Sequence, residues 1–132
     1  MSDVDRAGLT TAQVVCMARG LYWLANLDGV KNSEVSVIEE FLRETGSPLT
    51  VAALQAAEFD PRDLPFHLET SHQRLLFLKA AVALVASDGE LSARERVGVR
   101  RCARLLGYSE IAFEEFWEEA RHLSLDTASV TP

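Results

Sequence analysis

Apolar residues recur at three- and four-residue steps along most of this chain, which is the spacing of one face of an α-helix. Either Thr10 or Thr11 can serve as the N-cap of a first helix. The apolar stripe of this helix consists of Val14, Met17, Ala18, Leu21, Leu24 and Ala25. Asp28 and Gly29 follow the stripe, and a glycine that adopts the left-handed conformation commonly ends a helix. The pattern therefore predicts an amphipathic helix that stops at an Asp-Gly turn.

Two further segments complete the first half of the chain. Asn32 or Ser33 can cap a second helix, which Gly46 ends. The apolar face of that helix carries Val35, Ile38, Phe41 and Leu42. Ser47-Pro48 has the form of an N-cap followed by proline, so it predicts a short helix over Pro48–Ala57. Glu58–Pro65 is bracketed by prolines and is predicted to be a loop or a single turn.

The most apolar part of the chain lies in its second half. A long helix is predicted to begin between Phe66 and Ser71 and to run to Ser87. Nearly every residue from Leu75 to Ala86 is apolar except Lys79, which is typical of a helix at the centre of a bundle. Residues 92–95, Ser-Ala-Arg-Glu, have the form of a capping box that opens the next helix.

The last predicted helix follows Gly107 and is capped by Ser109. Its apolar positions are Phe113, Phe116, Trp117, Ala120 and Leu123. A run of glutamates on its other face, Glu114, Glu115, Glu118 and Glu119, is most simply a solvated surface. No alternation of period two persists anywhere, so strands are not expected. The sequence predicts one all-α domain over residues 1–132, a bundle of about six helices with loose termini at 1–9 and 124–132.

The two halves of the chain resemble each other. Each half has a long apolar helix, an Asp-Gly turn and an amphipathic helix that ends in glycine. A shift of 60 residues superimposes Leu24, Asp28 and Gly29 on Leu84, Asp88 and Gly89. A shift of 61 superimposes Glu34, Ile38, Arg43 and Gly46 on Glu95, Val99, Arg104 and Gly107. Since short loops make sequential helices antiparallel neighbours, the pattern predicts two pseudo-repeated hairpins about a pseudo-twofold axis, with the two long helices at the centre.

Charge and composition exclude several function classes. The chain has 13 Lys and Arg against 20 Asp and Glu, a formal net charge of −7. This balance disfavours a nucleic-acid binder or an electrostatic membrane anchor, both of which need clustered cations. Its two cysteines lie in helical patterns and are expected to be reduced and buried. No secretory signal and no spanning segment is visible, so a cytoplasmic protein without membrane insertion is expected.

The acidic residues of the two turns are the candidate site. Asp28 and Asp88 follow helix C-termini, where a carboxylate faces the negative end of the helix dipole, and this suggests a cation. Glu34, Glu90 and Glu95 lie near helix N-termini, where plain capping also explains them. If a metal binds there, carboxylate oxygens favour Ca²⁺ or Mg²⁺, although the spacing is not that of an EF-hand. One shared site and two separate sites are both compatible with the repeat.

Catalytic patterns are absent from the sequence. It contains no nucleophile elbow, P-loop or dinucleotide-binding turn. His67 and His72 are five residues apart, which is not the spacing of one helix face, and neither cysteine has a histidine at a suggestive position. Paired carboxylates could act as acid and base, but nothing marks a substrate pocket. The protein is therefore not expected to be an enzyme.

The segment LVASDGELSARE, residues 84–95, resembles the TerB-like family, named for a tellurite-resistance protein. LANLDGVKNSE, residues 24–34, is a second and weaker copy, in which Val30 stands where Glu90 stands in the other. The resemblance covers roughly Thr10–Trp117. It implies an all-helical bundle with an acidic cluster for a divalent cation, and a cytoplasmic role in stress response or scaffolding beside membrane-associated protein partners.

Three functional hypotheses follow from the sequence. The first is a non-enzymatic TerB-like binding module whose acidic turn residues bind a divalent cation. The second is a purely structural protein-interaction domain, as a monomer or a homodimer, whose acidic turns are only helix caps. The third is a carboxylate-dependent hydrolase.

Overall fold

The computed structural model describes residues 9–87 and 92–119. Within these two ranges the protein is helical and contains no strand. The α-helices are α1 (Thr11–Asn26), α2 (Asn32–Glu44), α3 (Val51–Gln55), α4 (Leu64–His67), α5 (Ser71–Val85) and α6 (Ala93–Leu105). A 3₁₀ turn, Pro61–Asp63, precedes α4, and the helical residues 110–119 form α7. The prediction of an all-α bundle is confirmed.

The two central helices begin with the same capping box. The Thr10 hydroxyl accepts the Gln13 amide N–H at 3.2 Å, and the Gln13 side-chain oxygen accepts the Thr10 N–H at 3.0 Å. Thr70 and Gln73 repeat both bonds at the start of α5, at 3.1 and 3.2 Å. Such reciprocal bonds satisfy two of the N–H groups that a helix N-terminus leaves unpaired. Thr10, one of the two predicted N-caps, is therefore the one used.

The start of α2 differs from the prediction. Its N-cap is Lys31, not Asn32 or Ser33. The Glu34 carboxylate accepts the Lys31 N–H at 3.1 Å and so supplies the cap from inside the helix. A glutamate three residues beyond the N-cap can reach back in this way, which removes the need for a small polar residue at the cap itself.

The connecting segments are shorter and more helical than predicted. The helix expected from Pro48 instead begins at Val51, because the Thr50 hydroxyl accepts the Ala53 N–H at 3.2 Å. The Ser47 hydroxyl accepts the N–H of Leu49 and forms a local turn. Where a loop or single turn was expected, the chain forms both the 3₁₀ turn and the one-turn helix α4.

Helices α1 and α5 pack against each other and form the centre of the bundle, with α2 and α6 packed against them. Buried side chains of α5 include Phe77, Leu78, Val82 and Leu84, as its apolar sequence predicts. Gly20 allows α1 and α5 to approach closely, because a Cβ atom at this position would lie 2.9 Å from the ring of Phe77. The two long helices therefore occupy the positions that the repeat predicts.

Contacts between equivalent residues support the predicted pseudo-twofold axis. Gln13 and Gln73, which are 60 residues apart, are joined by a side-chain hydrogen bond of 3.4 Å. Glu34 and Glu95, equivalent under the 61-residue shift, are also close neighbours, since Glu95 raises the pKa of Glu34. A residue contacts its own repeat equivalent only where both lie near the axis relating them. Both contacts are those that a pseudo-twofold arrangement of the hairpins α1–α2 and α5–α6 predicts.

Helix α7 covers the outer face of α6. Ser109 caps it as predicted, and Phe113 and Trp117 are buried. Its glutamate-bearing side is not wholly solvated, because Glu114 forms a half-buried ion pair with Arg96. This corrects the expectation of a purely solvated acidic face. The predicted core residues Ala120 and Leu123 and both termini, apart from Leu9, lie outside the described ranges.

Candidate functional site at a buried glutamate pair

Glu34 and Glu95 occupy the same position in their helices, three residues after the N-cap of α2 and of α6. The Glu34 Oε1 atom accepts the Lys31 N–H at 3.1 Å. The Glu95 N–H donates to the Ser92 hydroxyl oxygen at 3.1 Å, and that hydroxyl donates to Glu95 Oε1 at 3.0 Å. Capping chemistry in the two repeats therefore holds each carboxyl group in place.

The two carboxyl groups lie together in the interior. Glu34 is 1 % exposed and Glu95 is 0 % exposed, although glutamate is rarely buried without a partner of opposite charge. Here the Glu95 carboxyl group lies close enough to Glu34 to raise the pKa of Glu34. Two ionised carboxylates this close in the interior would repel each other, which favours a proton on Glu34.

Burial raises the pKa of Glu34 from 4.5 to about 7, and the hydrogen bond to Glu95 and its charge act in the same direction. The Lys31 N–H opposes the shift because it donates to the charged form of the carboxylate. At neutral pH Glu34 therefore lies close to the midpoint between its protonated and ionised forms.

One oxygen of the pair has no hydrogen-bond partner in the described part of the chain. It is Glu95 Oε2, which is fully buried. An unsatisfied buried carboxyl oxygen costs more than an ordinary lost hydrogen bond, and native proteins rarely keep one without a reason. A bound ion or water is the usual explanation for such an atom.

The other predicted site residues are placed differently. Asp28 is exposed, and its carboxylate lies 3.9 Å from the Lys31 ammonium group. That ion pair offsets the unfavourable position of Asp28 after a helix C-terminus. Asp88 and Glu90 lie outside the described ranges. Among residues 9–87 and 92–119, no group of three or more histidine, cysteine or acidic side chains is placed to hold a metal ion.

The end of α5 lies beside the start of α2. The hydroxyl oxygens of Ser33 and Ser87 are 3.2 Å apart, and the Ser87 hydroxyl also donates to the Leu84 carbonyl at 2.7 Å. Ser33 directly precedes Glu34, and Ser87 directly precedes Asp88. Ser87, the last described residue before Asp88, therefore lies next to the helix that carries Glu34.

Cysteine chemistry finds no support in the structure. Both cysteines are buried and form no disulfide, as predicted. Cys16 and His67 line one cavity of about 270 Å³, a proximity that sequence spacing did not reveal. Burial, however, raises the pKa of Cys16 to about 11 and that of Cys102 to about 12. A nucleophilic thiolate requires a pKa shifted in the opposite direction.

Comparisons with known proteins return no relatives: no protein-family model, no curated protein and no solved structure matches the chain. No helix in the described ranges is long and apolar enough to cross a membrane.

Proposed function

We propose that this protein is a non-enzymatic helical binding module, similar to the TerB-like family, in which Glu34 and Glu95 bind a divalent cation. The observation that carries the proposal is the buried Glu95 Oε2 atom, which has no partner in the described part of the chain and adjoins a second carboxyl group. A cation there would satisfy that oxygen and remove the like-charge repulsion that otherwise requires a proton.

The donor atoms determine which cation is expected. Carboxylate oxygens are hard ligands, which suit Ca²⁺ or Mg²⁺ better than zinc. Two glutamates do not complete either coordination shell, so further ligands are needed. Asp88 and Glu90 are the candidates, because in sequence they lie between Ser87, which adjoins α2, and Ser92, which caps α6. Asp28 is a weaker candidate because it is exposed and ion-paired with Lys31.

A cation and the shared proton compete for the same oxygens. Carboxylates bind metals in their deprotonated form, so binding would release the proton that the pair holds near neutral pH. We therefore expect cation affinity to increase as the pH rises through 7.

Thermal melting of the wild type, with EDTA and with millimolar Ca²⁺ or Mg²⁺, tests the proposal. A cation at about one hundred times its Kd stabilises the native state by roughly 2.7 kcal/mol, which corresponds to a Tm increase of several degrees. Glu34→Gln with Glu95→Gln should remove this increase. Asp88→Asn with Glu95→Gln should remove most of it.

The matched control is Glu39→Gln with Glu44→Gln, which removes two charges from exposed positions on α2. It should leave the cation-dependent Tm increase intact, and NaCl at equal ionic strength should not reproduce the increase. A wild type that shows no cation-specific increase, or a Glu34/Glu95 variant that retains it, would contradict cation binding at the pair.

A second candidate is a structural role for the pair without a metal. It is favoured by the observation that each carboxyl group already accepts a hydrogen bond from the N-cap residue of its own helix, the Lys31 N–H for Glu34 and the Ser92 hydroxyl for Glu95. In that case the protein is a helical interaction domain, and a proton shared by Glu34 and Glu95 stabilises the contact between its two hairpins. The hydrolase hypothesis receives no such support, because the two carboxyl groups are 0–1 % exposed and offer no surface to a substrate.

The cellular role rests on the resemblance alone. From it we infer a cytoplasmic stress-response or scaffolding protein that acts through protein partners, some of them membrane-associated, with homodimer formation as a further route of assembly. The acidic charge of −7 accords with a protein that does not bind nucleic acid.

A further inference from the structure

Helix α6 is strongly basic although the chain as a whole is acidic. It carries five arginines, Arg94, Arg96, Arg100, Arg101 and Arg104, among its 13 residues. Arg96, Arg100 and Arg104 lie on one face, at steps of four, and Arg94 and Arg101 lie on the other. The two arginine faces of α6 have different neighbours.

The first face is covered by an acidic amphipathic helix of the chain itself. Arg100 pairs with Glu110 of α7 at 2.8 Å, Arg104 lies 3.7 Å from the same carboxylate, and Arg96 pairs with Glu114. The Arg96 guanidinium also lies over the rings of Phe113 and Trp117, 5.5 and 5.9 Å from their centroids. Helix α7 therefore combines carboxylates for the arginines with apolar side chains between them.

The second face borders an open groove between α1 and α6. The groove has a volume of about 390 Å³ and a predominantly apolar lining that includes Trp23, Leu27, Val97 and Gly98. A Cβ atom on Gly98 would lie 2.9 Å from Leu24 Cδ2, so the glycine brings the backbone of α6 close to α1 and forms the floor. Val97 is 58 % exposed, so the groove has an apolar side chain open to solvent.

Arg94 and Arg101 border this groove, and neither forms an ion pair in the described part of the chain. Asp60 is near enough to Arg101 for the arginine charge to contribute to the lowered pKa of Asp60. Arg101 lies over the Trp23 ring, 5.9 Å from its centroid. The two arginines are seven residues apart, which is two helical turns and about 10 Å along α6. Val97 lies between them on the same face. The groove thus presents an apolar centre between two arginines that form no ion pair among residues 9–87 and 92–119.

We propose that this groove, lined by Trp23, Leu27, Val97 and Gly98 and bordered by Arg94 and Arg101, binds an acidic amphipathic helix of a partner protein. The expected helix carries carboxylates about two turns apart and apolar residues between them. Helix α7 presents the same two kinds of side chain to the opposite face, with its carboxylates Glu110 and Glu114 one turn apart. The openness of the groove and the helical spacing of its two charges favour a helix over a small anionic ligand. The inference names a partner for the proposed binding module and does not depend on the cation.

A labelled synthetic helix provides the probe. It is an Ala-rich peptide of about 18 residues, long enough to be helical, with two glutamates seven positions apart and two leucines between them. Binding to the full-length protein is followed by fluorescence anisotropy. A second peptide with glutamine at both glutamate positions isolates the charge contribution. We expect the glutamine peptide to bind at least about tenfold more weakly.

Three variants of the protein complete the test. Arg94→Gln with Arg101→Gln should weaken binding of the glutamate peptide at least about tenfold, and Val97→Ser should weaken it severalfold. Both changes are at exposed positions, so the fold should be retained. Arg43→Gln with Lys79→Gln removes the same charge from exposed sites elsewhere and should change the Kd by less than about twofold.

Equal binding of the two peptides, or equal losses in the groove and control variants, would overturn the proposal. So would arginine-dependent binding of dodecanoate without peptide binding, which would indicate a small-molecule site. A wild-type dimer that the Arg94/Arg101 change dissociates would likewise overturn it, by assigning the groove to self-association. Peptide binding should be unchanged by EDTA, so failure of this inference and failure of the cation proposal give different results.

Discussion

Val82→Asp should leave the protein unfolded or close to unfolding at room temperature. Val82 is 4 % exposed and lies on α5, which packs against α1, α2 and α6. An aspartate there would be buried without a partner or would have to carry a raised pKa, at a cost of at least about 3 kcal/mol. The total unfolding free energy of a domain is commonly about 5–15 kcal/mol. Thermal melting, monitored by far-UV circular dichroism, measures the loss of stability.

The control for this change is Lys79→Asp, three residues away on the same helix. Lys79 is exposed, so the substitution introduces the same poor helix former and a negative charge without burying either. Its Tm should stay within a few degrees of wild type. If Val82→Asp behaves like Lys79→Asp, this face of α5 is not part of the core.

Glu34→Gln should make stability almost independent of pH between about 5 and 8 in the presence of EDTA. In wild type the folded-state pKa of Glu34 is raised from 4.5 to about 7, so the folded state binds more protons than the unfolded state across this interval. The stabilisation from the shared proton is complete below pH 4.5 and is lost as the pH rises through 7. Wild type should therefore lose up to roughly 3 kcal/mol of unfolding free energy over that range.

Urea unfolding at several pH values measures how the unfolding free energy changes with pH. Glutamine keeps the size of the side chain and a donor for Glu95, so the variant should resemble wild type at pH 5 and be the more stable at pH 8. Glu39→Gln, at an exposed position on the same helix, should keep the wild-type slope. A wild type whose stability is flat or increases from pH 5 to 8 would show that the pair holds no such proton.

The helices and the repeat were predictable because they depend on local patterns. The stripe of α5 and the caps at Ser92 and Ser109 appear where periodicity and capping rules place them. At Ser92 the Glu95 carboxyl group accepts from the Ser92 hydroxyl, not from the backbone N–H that a capping box would use. The capping boxes at Thr10 and Thr70 were missed, although Thr-x-x-Gln occurs at both positions, spaced by the 60-residue repeat. Helix α3, the 3₁₀ turn and α4 were predicted less well, because several polar residues in these segments could each cap a single helical turn.

The meeting of Glu34 and Glu95 could not be predicted from the sequence. Both residues were identified as site candidates, but whether they meet depends on how closely the two hairpins approach at their axis. That distance depends on packing at small residues such as Gly20 and Gly98, whose neighbours lie far away in sequence. Asp28 was chosen by the same reasoning, and the structure pairs it with Lys31 instead.

The arginine-bordered groove was missed for a different reason. A net charge of −7 describes the whole chain and conceals a helix with five arginines. Charge counted along each predicted helix would have detected it. The division of those arginines into a covered and an open face also requires the position of α7, which sequence periodicity does not supply.

The contacts on the pseudo-twofold axis also bear on how the chain folds. The bond between Gln13 and Gln73 spans 60 residues, whereas the helices within each hairpin are joined by short turns. Closing a long loop costs more chain entropy than closing a short one. Contacts within each hairpin should therefore form before the contacts between the two hairpins. Substitutions at Gln13, Gln73, Glu34 or Glu95 should then mainly alter the unfolding rate. Contacts that are absent from the transition state stabilise only the native state, so their loss lowers the barrier to unfolding. The contacts near the axis would therefore form late in folding and would determine the lifetime of the native state.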